Sequence, residues 1–281
     1  MTILILEGME SVTTRTKLFL FVLAELALQP ALASQTAPNL AITSPSVESQ
    51  QTKPLNQQGS FFSKFSPKRA TIMLQLGGYR ASQGSAQNIG IAGLIGDRFT
   101  VTQPYGQNVL AGLGYYVDGM NLGQHQFLFG LNAFYFAPTS VKGNVVQEQL
   151  FTNLAYRYSV THYPIYFAAK ELVNPNDAYT LTLDLGVGPN IMQTSNFSET
   201  SLDGGVTQPD SIFSGQTRVA FSATAGLGVR INHAFGHVPL EVGYRFFYLG
   251  QGSLNSINSQ VTNKLNTGNC YANALVFSIS D

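Results

Sequence analysis

The stretch Tyr179-Thr180-Leu181-Thr182-Leu183-Asp184-Leu185-Gly186-Val187-Gly188 decides the fold of this chain. Large apolar side chains occupy every second position, and small or polar residues lie between them. A period of two is typical of a β-strand whose two faces meet different environments. The only charge in the stretch, Asp184, falls on the face of small and polar residues.

The same alternation recurs from about residue 69 to the C-terminus, in segments separated by turn-forming residues. Seven further segments have apolar faces that begin at Ile72, Val109, Phe127, Leu154, Val219, Val238 and Tyr271. In one of them the apolar set Leu154, Tyr156 and Tyr158 gives way, after Thr161-His162, to Tyr163, Ile165, Phe167 and Ala169. A β-bulge causes such a one-residue slip, so we expect residues 148–170 to form one bulged strand.

Charge placement favours a membrane barrel over a soluble one. A soluble sandwich or barrel keeps apolar side chains inside and charges outside. Here the apolar face is continuous and rich in Tyr and Phe, and the charges lie on the face rich in Gly and Ser: Arg157, Lys170, Asp184, Arg218, Arg230, Glu241 and Arg245. This arrangement is typical of a transmembrane barrel with lipid outside. A soluble barrel remains the alternative.

Composition agrees with lipid contact. Only 11% of the residues are charged, compared with roughly 25% in typical soluble domains. Lys plus Arg and Asp plus Glu each number 15, which gives a net charge of zero. No global field therefore favours nucleic acid, and we expect no nucleic-acid partner.

The spacing of the connections sets the strand count. Four are long and rich in Gly, Ser, Asn and Gln, around 81–106, 137–147, 195–215 and 250–269, and they alternate with three short ones around 119–124, 171–177 and 232–237. Long connections on one side and short turns on the other require an even number of strands. The sequence therefore predicts an all-β, eight-stranded antiparallel transmembrane β-barrel over residues 69–281, with four long extracellular loops.

The first 68 residues are read as segments outside the barrel. Arg15 and Lys17 precede the apolar run 18–24, and Ala31-Leu32-Ala33 follows as a small-x-small cleavage site. We interpret residues 1–33 as a signal peptide. Residues 34–68 are rich in Ser, Gln, Thr, Pro and Asn and are expected to form a flexible periplasmic leader. The expected location is the outer membrane of a Gram-negative bacterium.

Repeated small-x-Gly-x-Gly-aromatic patterns, such as Gly112-Leu113-Gly114-Tyr115 and Gly226-Leu227-Gly228-Val229, resemble those of small bacterial outer-membrane β-barrels of the opacity and OmpA type. The resemblance implies outer-membrane lipid, the barrel assembly machinery and a host or surface ligand at the outer loops as partners. Such proteins usually end in an aromatic residue that the machinery reads. Here the chain ends in Ser280-Asp281, so Phe277 and Ile279 are expected to serve instead.

No catalytic, cofactor-binding or metal-binding set is predicted. Small lipid A deacylases carry a His-x-Ser pair, and none of the tripeptides that start at His125, His162, His233 and His237 matches it. The single cysteine, Cys270, forms no internal disulfide and lies in no zinc-ligand pattern. The apolar stretch 90–96 is expected to pack over the barrel mouth or to contact a partner.

The charges predicted to face the lumen form the one candidate constellation: Arg157, Asp184, Arg218, Arg230, Glu241 and Arg245, with Lys170 beside them. Charges in a narrow lumen must pair or find water. We expect a structural network in which Arg230 and Glu241 are diagonal neighbours. The function expected is that of a non-enzymatic structural or adhesive surface barrel. A narrow pore or transporter for small or hydrophobic solutes, including an anion-favouring path, and a lipid-modifying outer-membrane enzyme remain alternatives.

Overall fold

The computed structural model describes residues 69–281, so the predicted signal peptide and leader lie outside the described residues. This part of the chain is built from strands, with no helix long and apolar enough to cross a membrane. In chain order the strands are β1 (Ala70–Ser82), β2 (Gln87–Ile89), β3 (Asp97–Gln103), β4 (Tyr105–Leu122), β5 (His125–Gln147), β6 (Phe151–Val173), β7 (Tyr179–Ser201), β8 (Phe213–Ser214), β9 (Thr217–Phe235), β10 (Val238–Ser253), β11 (Asn255–Ser256) and β12 (Asn266–Ser280).

Eight long strands close into a ring in the order β5-β4-β1-β12-β10-β9-β7-β6, and β6 pairs back with β5. All of these pairings are antiparallel. The predicted eight-stranded antiparallel barrel is therefore confirmed. Three short turns, at 123–124, 174–178 and 236–237, lie at one end, called the turn end. The first and last strands also meet there, with Met73 opposite Ser280.

The opposite end, called the loop end, differs from the sequence prediction in one connection. The predicted long loop 137–147 is strand, because β5 continues to Gln147 and β6 starts at Phe151. A three-residue turn joins them, in which Glu148 and Gln149 have positive φ values of 48° and 58°. The other three connections are long and contain the short strands β2, β3, β8 and β11. The loop end thus has three long loops and one tight turn, rather than four long loops.

An apolar belt surrounds the barrel from the turn end to about the middle of the long strands. Along β6 it comprises Tyr163, Ile165, Phe167 and Ala169, and Phe167 is 72% exposed. About ten residues, at about 3.3 Å each and a tilt of about 40°, span about 25 Å, the height of the apolar band of an outer-membrane barrel. Aromatic rings mark the border nearer the loop end, where Tyr135 contacts Tyr163 and Tyr248 contacts Tyr271. The belt identifies the lipid-facing surface.

Beyond the belt the polarity of the two faces is reversed. We call this part the extension; it consists of β3 and of residues 139–147 of β5, 151–161 of β6 and 192–201 of β7. Its inward side chains are apolar and buried, among them Phe99, Val141, Val145, Leu154, Tyr156, Tyr158, Val160 and Met192. Its outward side chains are polar, as at Lys142, Asn144, Asn153, Arg157 and Ser159. The extension is therefore packed like a soluble barrel, with water outside.

This reversal corrects the predicted bulge in β6. Leu154, Tyr156 and Tyr158 face the interior rather than lipid, and the inward positions continue without a slip through Tyr166 and beyond. The change of environment outside the strand, from water to lipid, moves the apolar residues from one face to the other. Near the level of the slip the extra residues lie in the neighbouring strands: β5 gains one between Phe136 and Thr139, and β7 gains one opposite the step from Arg157 to Ser159. The extra residue of β6 lies between Thr152 and Leu154, close to the loop end.

The reversal predicts different costs for two adjacent substitutions in β6. Tyr158 is 1% exposed, so Tyr158→Ala removes a buried ring and should cost about 3–5 kcal/mol of stability through the cavity it leaves. Ser159→Ala changes a residue that faces outward and should cost little. Urea titration of the refolded barrel, followed as the folded band on unheated gels, measures both. Tolerance of Tyr158→Ala would indicate a lipid-facing side chain and contradict the reversal.

Candidate functional site

A layer of paired charged side chains crosses the lumen at the level of the apolar belt. The Lys170 ammonium on β6 donates to Asp184 Oδ2 on β7 at 2.9 Å and to Glu241 Oε1 on β10 at 2.7 Å. The Arg245 Nη2 atom lies 3.0 Å from the same Asp184 oxygen. All four side chains are at least nine-tenths buried. Two cations and two carboxylates so close together satisfy most of each other's need for a partner.

The charged layer continues into a neutral hydrogen-bonded chain. Arg245 Nη1 donates to Gln75 Oε1 at 3.1 Å, and Gln75 Nε2 donates to Asn132 Oδ1 at 2.7 Å. Asn132 Nδ2 in turn donates to the Tyr116 hydroxyl at 3.1 Å. We call the seven residues from Glu241 to Tyr116 the lumen network. They come from β10, β6, β7, β1, β5 and β4, so the network ties six of the eight barrel strands together across the interior.

Of the six site residues predicted from sequence, the structure brings three into one cluster with Lys170: Asp184 and Glu241 bind Lys170, and Arg245 binds Asp184. Arg230 is directly opposite Glu241 rather than diagonal to it. It forms no ion pair with Glu241, whose Oε1 binds Lys170 instead, and its buried Nε has no hydrogen-bond partner among the described residues. Arg218 lies nearer the loop end, where its Nη1 donates to Ser253 Oγ at 3.3 Å.

The structure corrects the predicted orientation of Arg157. This residue was predicted to face the lumen, but the structure places it on the outer surface of the extension, where its Nε donates to Ser198 Oγ at 3.1 Å. The prediction assumed that the apolar face of a strand always meets lipid. At the level of Arg157 the surrounding solvent is water, so the charged face is the outer one.

The sequence placed Gln75 and Asn132 on the inward face but did not identify them as part of a site. Both are 2% exposed or less and join the charged residues to Tyr116. An amide at an inward position beside charged inward positions is the signal that could have found them, because a buried amide requires partners. Their mutual contact depends on the pairing across β1, β4 and β5, which the sequence does not give.

Aromatic side chains fill the lumen above the network. The ring centroids of Phe136 and Phe247 are 4.9 Å apart, and those of Tyr79 and Phe136 are 4.8 Å apart. The Arg245 guanidinium lies 5.3 Å from the centroid of Phe134, which joins the two layers through a cation–π contact. His162 lies above them, fully buried, with its Nδ1 atom 3.0 Å from Asn190 Nδ2.

The loops close the barrel at the loop end. Phe99 of β3 packs between Tyr156 and Phe213, with ring centroids 5.0 and 5.7 Å away. Ile89, Leu254 and Leu265 from the long connections are buried in the same cluster. The interior is therefore packed from the lumen network to the loops. A cavity beside Asp184 and Glu241 has room for about one water molecule.

The predicted apolar stretch 90–96 is divided between two environments. Its first part packs, since Ile91 bridges to Val261 next to the buried Ile89. Its second part projects, with Leu94 60% and Ile95 67% exposed. The Ile95 amide donates to Glu148 Oε2 at 3.0 Å, which holds this tip beside the β5–β6 turn. The exposed Leu150 and Phe151 belong to the same turn region.

Two carboxyl groups are buried inside the extension. Asp97 accepts a hydrogen bond from the Glu148 amide, and Glu199 accepts bonds from the Asp210 and Ser211 amides. Burial raises the pKa of both Asp97 and Glu199 above the ordinary carboxyl values, and the backbone bonds offset this only in part. The nearby carboxylates of Asp210 and Asp97 raise the pKa of Glu199 further through charge repulsion.

The histidines do not converge on a reactive group within the described residues. His125 Nδ1 lies 2.7 Å from Glu171 Oε1 near the turn end, His233 lies in β9 and His237 lies in the turn 236–237. Between residues 69 and 281, no three His, Cys, Asp or Glu side chains are arranged to hold a metal ion. Cys270 is buried and unpaired.

Comparisons with known proteins concern the fold alone. No protein-family model matches the chain, and no curated protein is significantly similar to it. Among solved structures, the chain is similar to neisserial surface protein A, with 11% identity, coverage of 76% of this chain and 98% of that chain, and a TM-score of 0.36. It is also similar to the outer membrane protease OmpT from Escherichia coli, with 9% identity, coverage of 76% of this chain and 97% of that chain, and a TM-score of 0.43. A third similar structure is the outer membrane protein OprG from Pseudomonas aeruginosa, with 13% identity, coverage of 75% of this chain and 96% of that chain, and a TM-score of 0.41.

The lumen network predicts that Glu241→Ala lowers the stability of the barrel more than Val242→Ala. Removing Glu241 leaves the Lys170 ammonium with one carboxylate fewer in a closed interior, and breaking a buried ion pair costs about 3–5 kcal/mol. Val242 faces outward, where lipid can fill the space of a lost methyl group. Thermal and urea unfolding of both variants measures the difference.

The double variant Lys170→Met/Glu241→Leu provides the control for this experiment. It removes one cation and one anion together, so it should be more stable than Glu241→Ala. Equal losses from Glu241→Ala and Val242→Ala would mean that the network contributes little to stability.

The buried acids predict a pH dependence of the extension. Because the pKa of Glu199 is raised in the folded state, the folded form is favoured most when this carboxyl is protonated. Its contribution declines as the pH rises through the raised value. Glu199→Gln should therefore protect the loops from protease at neutral pH and flatten the pH profile above the ordinary pKa of a glutamate side chain.

Asp203 supplies a control, because its substitution should change protease cleavage of the loop in the opposite direction. Hydrogen bonds from Ser201 and Thr207 lower the pKa of this exposed carboxyl, so its contribution is present at neutral pH and is lost at low pH. Asp203→Asn should therefore increase cleavage of the loop at neutral pH. The same sign for both variants would argue against burial as the cause of the Glu199 effect.

Proposed function

We propose that this protein is a closed, non-enzymatic surface barrel of the outer membrane of a Gram-negative bacterium, with a structural or adhesive role carried by its loop end. One observation carries the proposal: the interior is packed continuously from the lumen network through the aromatic layer to the loops. A barrel that offers solutes no path through its lumen must act through its outer surface.

The orientation follows from the lengths of the connections. Outer-membrane barrels have short periplasmic turns and longer extracellular loops. The turns 123–124 and 236–237 therefore belong on the periplasmic side, and the extension projects from the cell. A β-sheet framework holds the extension, so its loops are presented in a defined shape.

The apolar tip of the extension supports an adhesive role over a purely structural one. Leu94, Ile95, Leu150 and Phe151 are each at least 60% exposed. Exposed apolar side chains outside the lipid belt have no membrane to cover them, and such patches are typical of contact surfaces. The hydrogen bond from the Ile95 amide to Glu148 fixes two parts of this patch relative to each other.

Labelling of intact cells tests the orientation. An epitope inserted at Gly204-Gly205 should bind antibody, because both glycines have positive φ and open space around them. An epitope at Gly236 in the turn 236–237 should bind only after the outer membrane is permeabilised. Labelling of the Gly236 epitope alone on intact cells would reverse the orientation.

Conductance across planar bilayers tests the closed lumen. The refolded wild-type protein should show no steady channel openings, because packed side chains occupy the interior. The alternative of a narrow pore predicts ion-selective openings that change in Glu241→Ala.

Lipid A mass spectrometry of a strain lacking the protein, compared with its parent, tests the remaining alternative of a lipid-modifying enzyme. An altered lipid A in that strain would overturn the non-enzymatic proposal.

A further inference from the structure

The outer wall of the extension carries a cluster of basic residues that no part of the described chain neutralises. Lys142 on β5 is directly opposite Arg157 on β6, and both are exposed on the outward face. Arg98 of β3 lies on the same wall, opposite Val146. Among the described residues, no ion pair joins any of these three cations to a carboxylate. We call this surface, with its three cations, the basic wall.

The pairing of Lys142 with Arg157 costs stability. Like charges directly opposite each other on neighbouring strands repel, since their Cβ atoms are about 5 Å apart. The chain as a whole has equal numbers of acidic and basic residues, so the cluster reflects segregation of charge. The acids nearest in the strands, Asp97 and Glu199, point inward and are buried. An anion bound from outside would relieve the repulsion.

The basic wall has the donors that a phosphate group needs. Arg157 donates its Nε to Ser198 Oγ, and this bond orients the guanidinium. Within the described residues its two Nη atoms make no hydrogen bond, so both are free for a bidentate contact with phosphate oxygens. The Lys142 ammonium can add a third donor from the opposite strand. Hydroxyl groups of Ser140 and Ser159, which pair with each other two residues away from this pair, lie on the same face.

The height of the site above the belt limits what can reach it. Arg157 is six residues beyond Tyr163, the last aromatic residue of the belt on β6. At about 3.3 Å per residue and a tilt of about 40°, the Arg157 backbone lies about 15 Å above the belt. The headgroup layer of a phospholipid bilayer adds only about 6 Å on each side of the hydrocarbon. A phosphate at the level of Arg157 therefore fits a saccharide better than a simple phospholipid.

We propose that Lys142 and Arg157 form a binding site for an anionic group, phosphate or sulfate, carried by a saccharide outside the membrane. Two sources share this chemistry: the phosphorylated core of a glycolipid in the same leaflet, and a free polyanionic glycan. The inference rests on the proposed function for the orientation of the extension. The donor geometry and the charge segregation are independent of it.

The experiment measures binding to the purified full-length barrel in detergent micelles. The probes are lipopolysaccharide with a phosphorylated core, the same lipopolysaccharide after its core phosphates are removed, and a heparin oligosaccharide. Lys142→Gln/Arg157→Gln should weaken binding of phosphorylated lipopolysaccharide by about tenfold or more, since charge-assisted hydrogen bonds contribute about 1.5–3 kcal/mol. Removing the core phosphates should weaken wild-type binding to a similar extent. Raising the salt concentration should reduce the difference between variant and wild type.

Arg69→Gln/Lys264→Gln is the matched control. It removes the same total charge from exposed positions away from the pair, because Arg69 precedes β1 at the turn end and Lys264 lies in the connection before β12. The control should change affinity by less than about twofold. Arg157→Lys should retain only part of the binding, because a lysine cannot make the bidentate contact.

Folding is checked in every variant by the mobility shift between unheated and heated samples. The Lys142→Gln/Arg157→Gln variant should unfold at a slightly higher temperature than wild type, because the repulsion is gone. Weaker binding together with higher stability would separate a binding site from a structural defect. If both double variants lose affinity equally, or if core phosphates make no difference to wild-type binding and heparin binding does not depend on the pair, the proposal is wrong.

The choice of probe distinguishes the two sources. Dependence on the pair for lipopolysaccharide supports the glycolipid core, and dependence for the heparin oligosaccharide alone supports a free polyanionic glycan. Because the measurement uses purified protein, it can fail while the labelling of intact cells succeeds. The reverse outcome is equally distinguishable, so the binding site and the orientation are tested separately.

Discussion

The solvent outside the barrel changes from lipid to water partway along the strands, and the rest of the structure depends on this change. Below the level of Tyr163 the outer face must be apolar, so the polar side chains of each strand lie in the lumen. Above it the outer face must be polar, so the apolar side chains lie inside. One continuous strand such as β6 therefore contains two opposite patterns, each correct for its own surroundings. The extension is stable because it is packed as a water-soluble barrel would be.

The same change explains why the interior is layered. Where lipid is outside, many inward residues are polar and must satisfy one another, and the lumen network joins Lys170 with Asp184 and Glu241 for this reason. A few inward residues near the turn end, such as Met73 and Leu128, are apolar and pack against Tyr116. Where water is outside, the inward residues are apolar and pack around Phe99 and Tyr156. Aromatic rings such as Phe134 lie between the two layers, and their faces accept a cation from one layer and apolar contacts from the other. Both layers fill the lumen, by different interactions.

Most of the fold could be predicted from the sequence, because alternation and turn residues report local geometry. The strand number, the closed antiparallel barrel and the inward positions of Asp184, Glu241 and Arg245 follow from the period of two together with the turn residues and the placement of charge. The error at Arg157 had one cause: the pattern shows which residues share a face, and the surrounding solvent decides which face is inside. The shift of the apolar positions to the other strand face after His162 results from that change of solvent. It was interpreted as a bulge because both explanations give the same shift in the apolar positions.

The contacts of the candidate site could not be predicted, since they depend on register across the ring. Arg230 and Glu241 are close in the β9–β10 hairpin, and the short turn was enough to bring them together. Lys170 and Glu241 are 71 residues apart and on strands that do not pair with each other, so no local pattern indicates their contact. The tight turn at Glu148 was also missed, because a polar, Gly-containing strand in water resembles a loop. In the membrane belt such a strand would be unusual, whereas in the extension it is expected.

The division of charge between inside and outside gives the extension its chemical character. Each acid that the extension buries, such as Asp97 or Glu199, is held by backbone amides and is removed from the outer surface. The cations cannot be accommodated in the same way, because Lys and Arg have no acceptor atoms and an apolar interior offers them few partners. They remain outside, where they accumulate on the wall formed by β3, β5 and β6. A chain with zero net charge thereby presents a basic surface well above the lipid belt, at a height set by the length of its strands. In the proposed orientation, this surface and the loop tips are the parts of the described barrel that face partners outside the membrane.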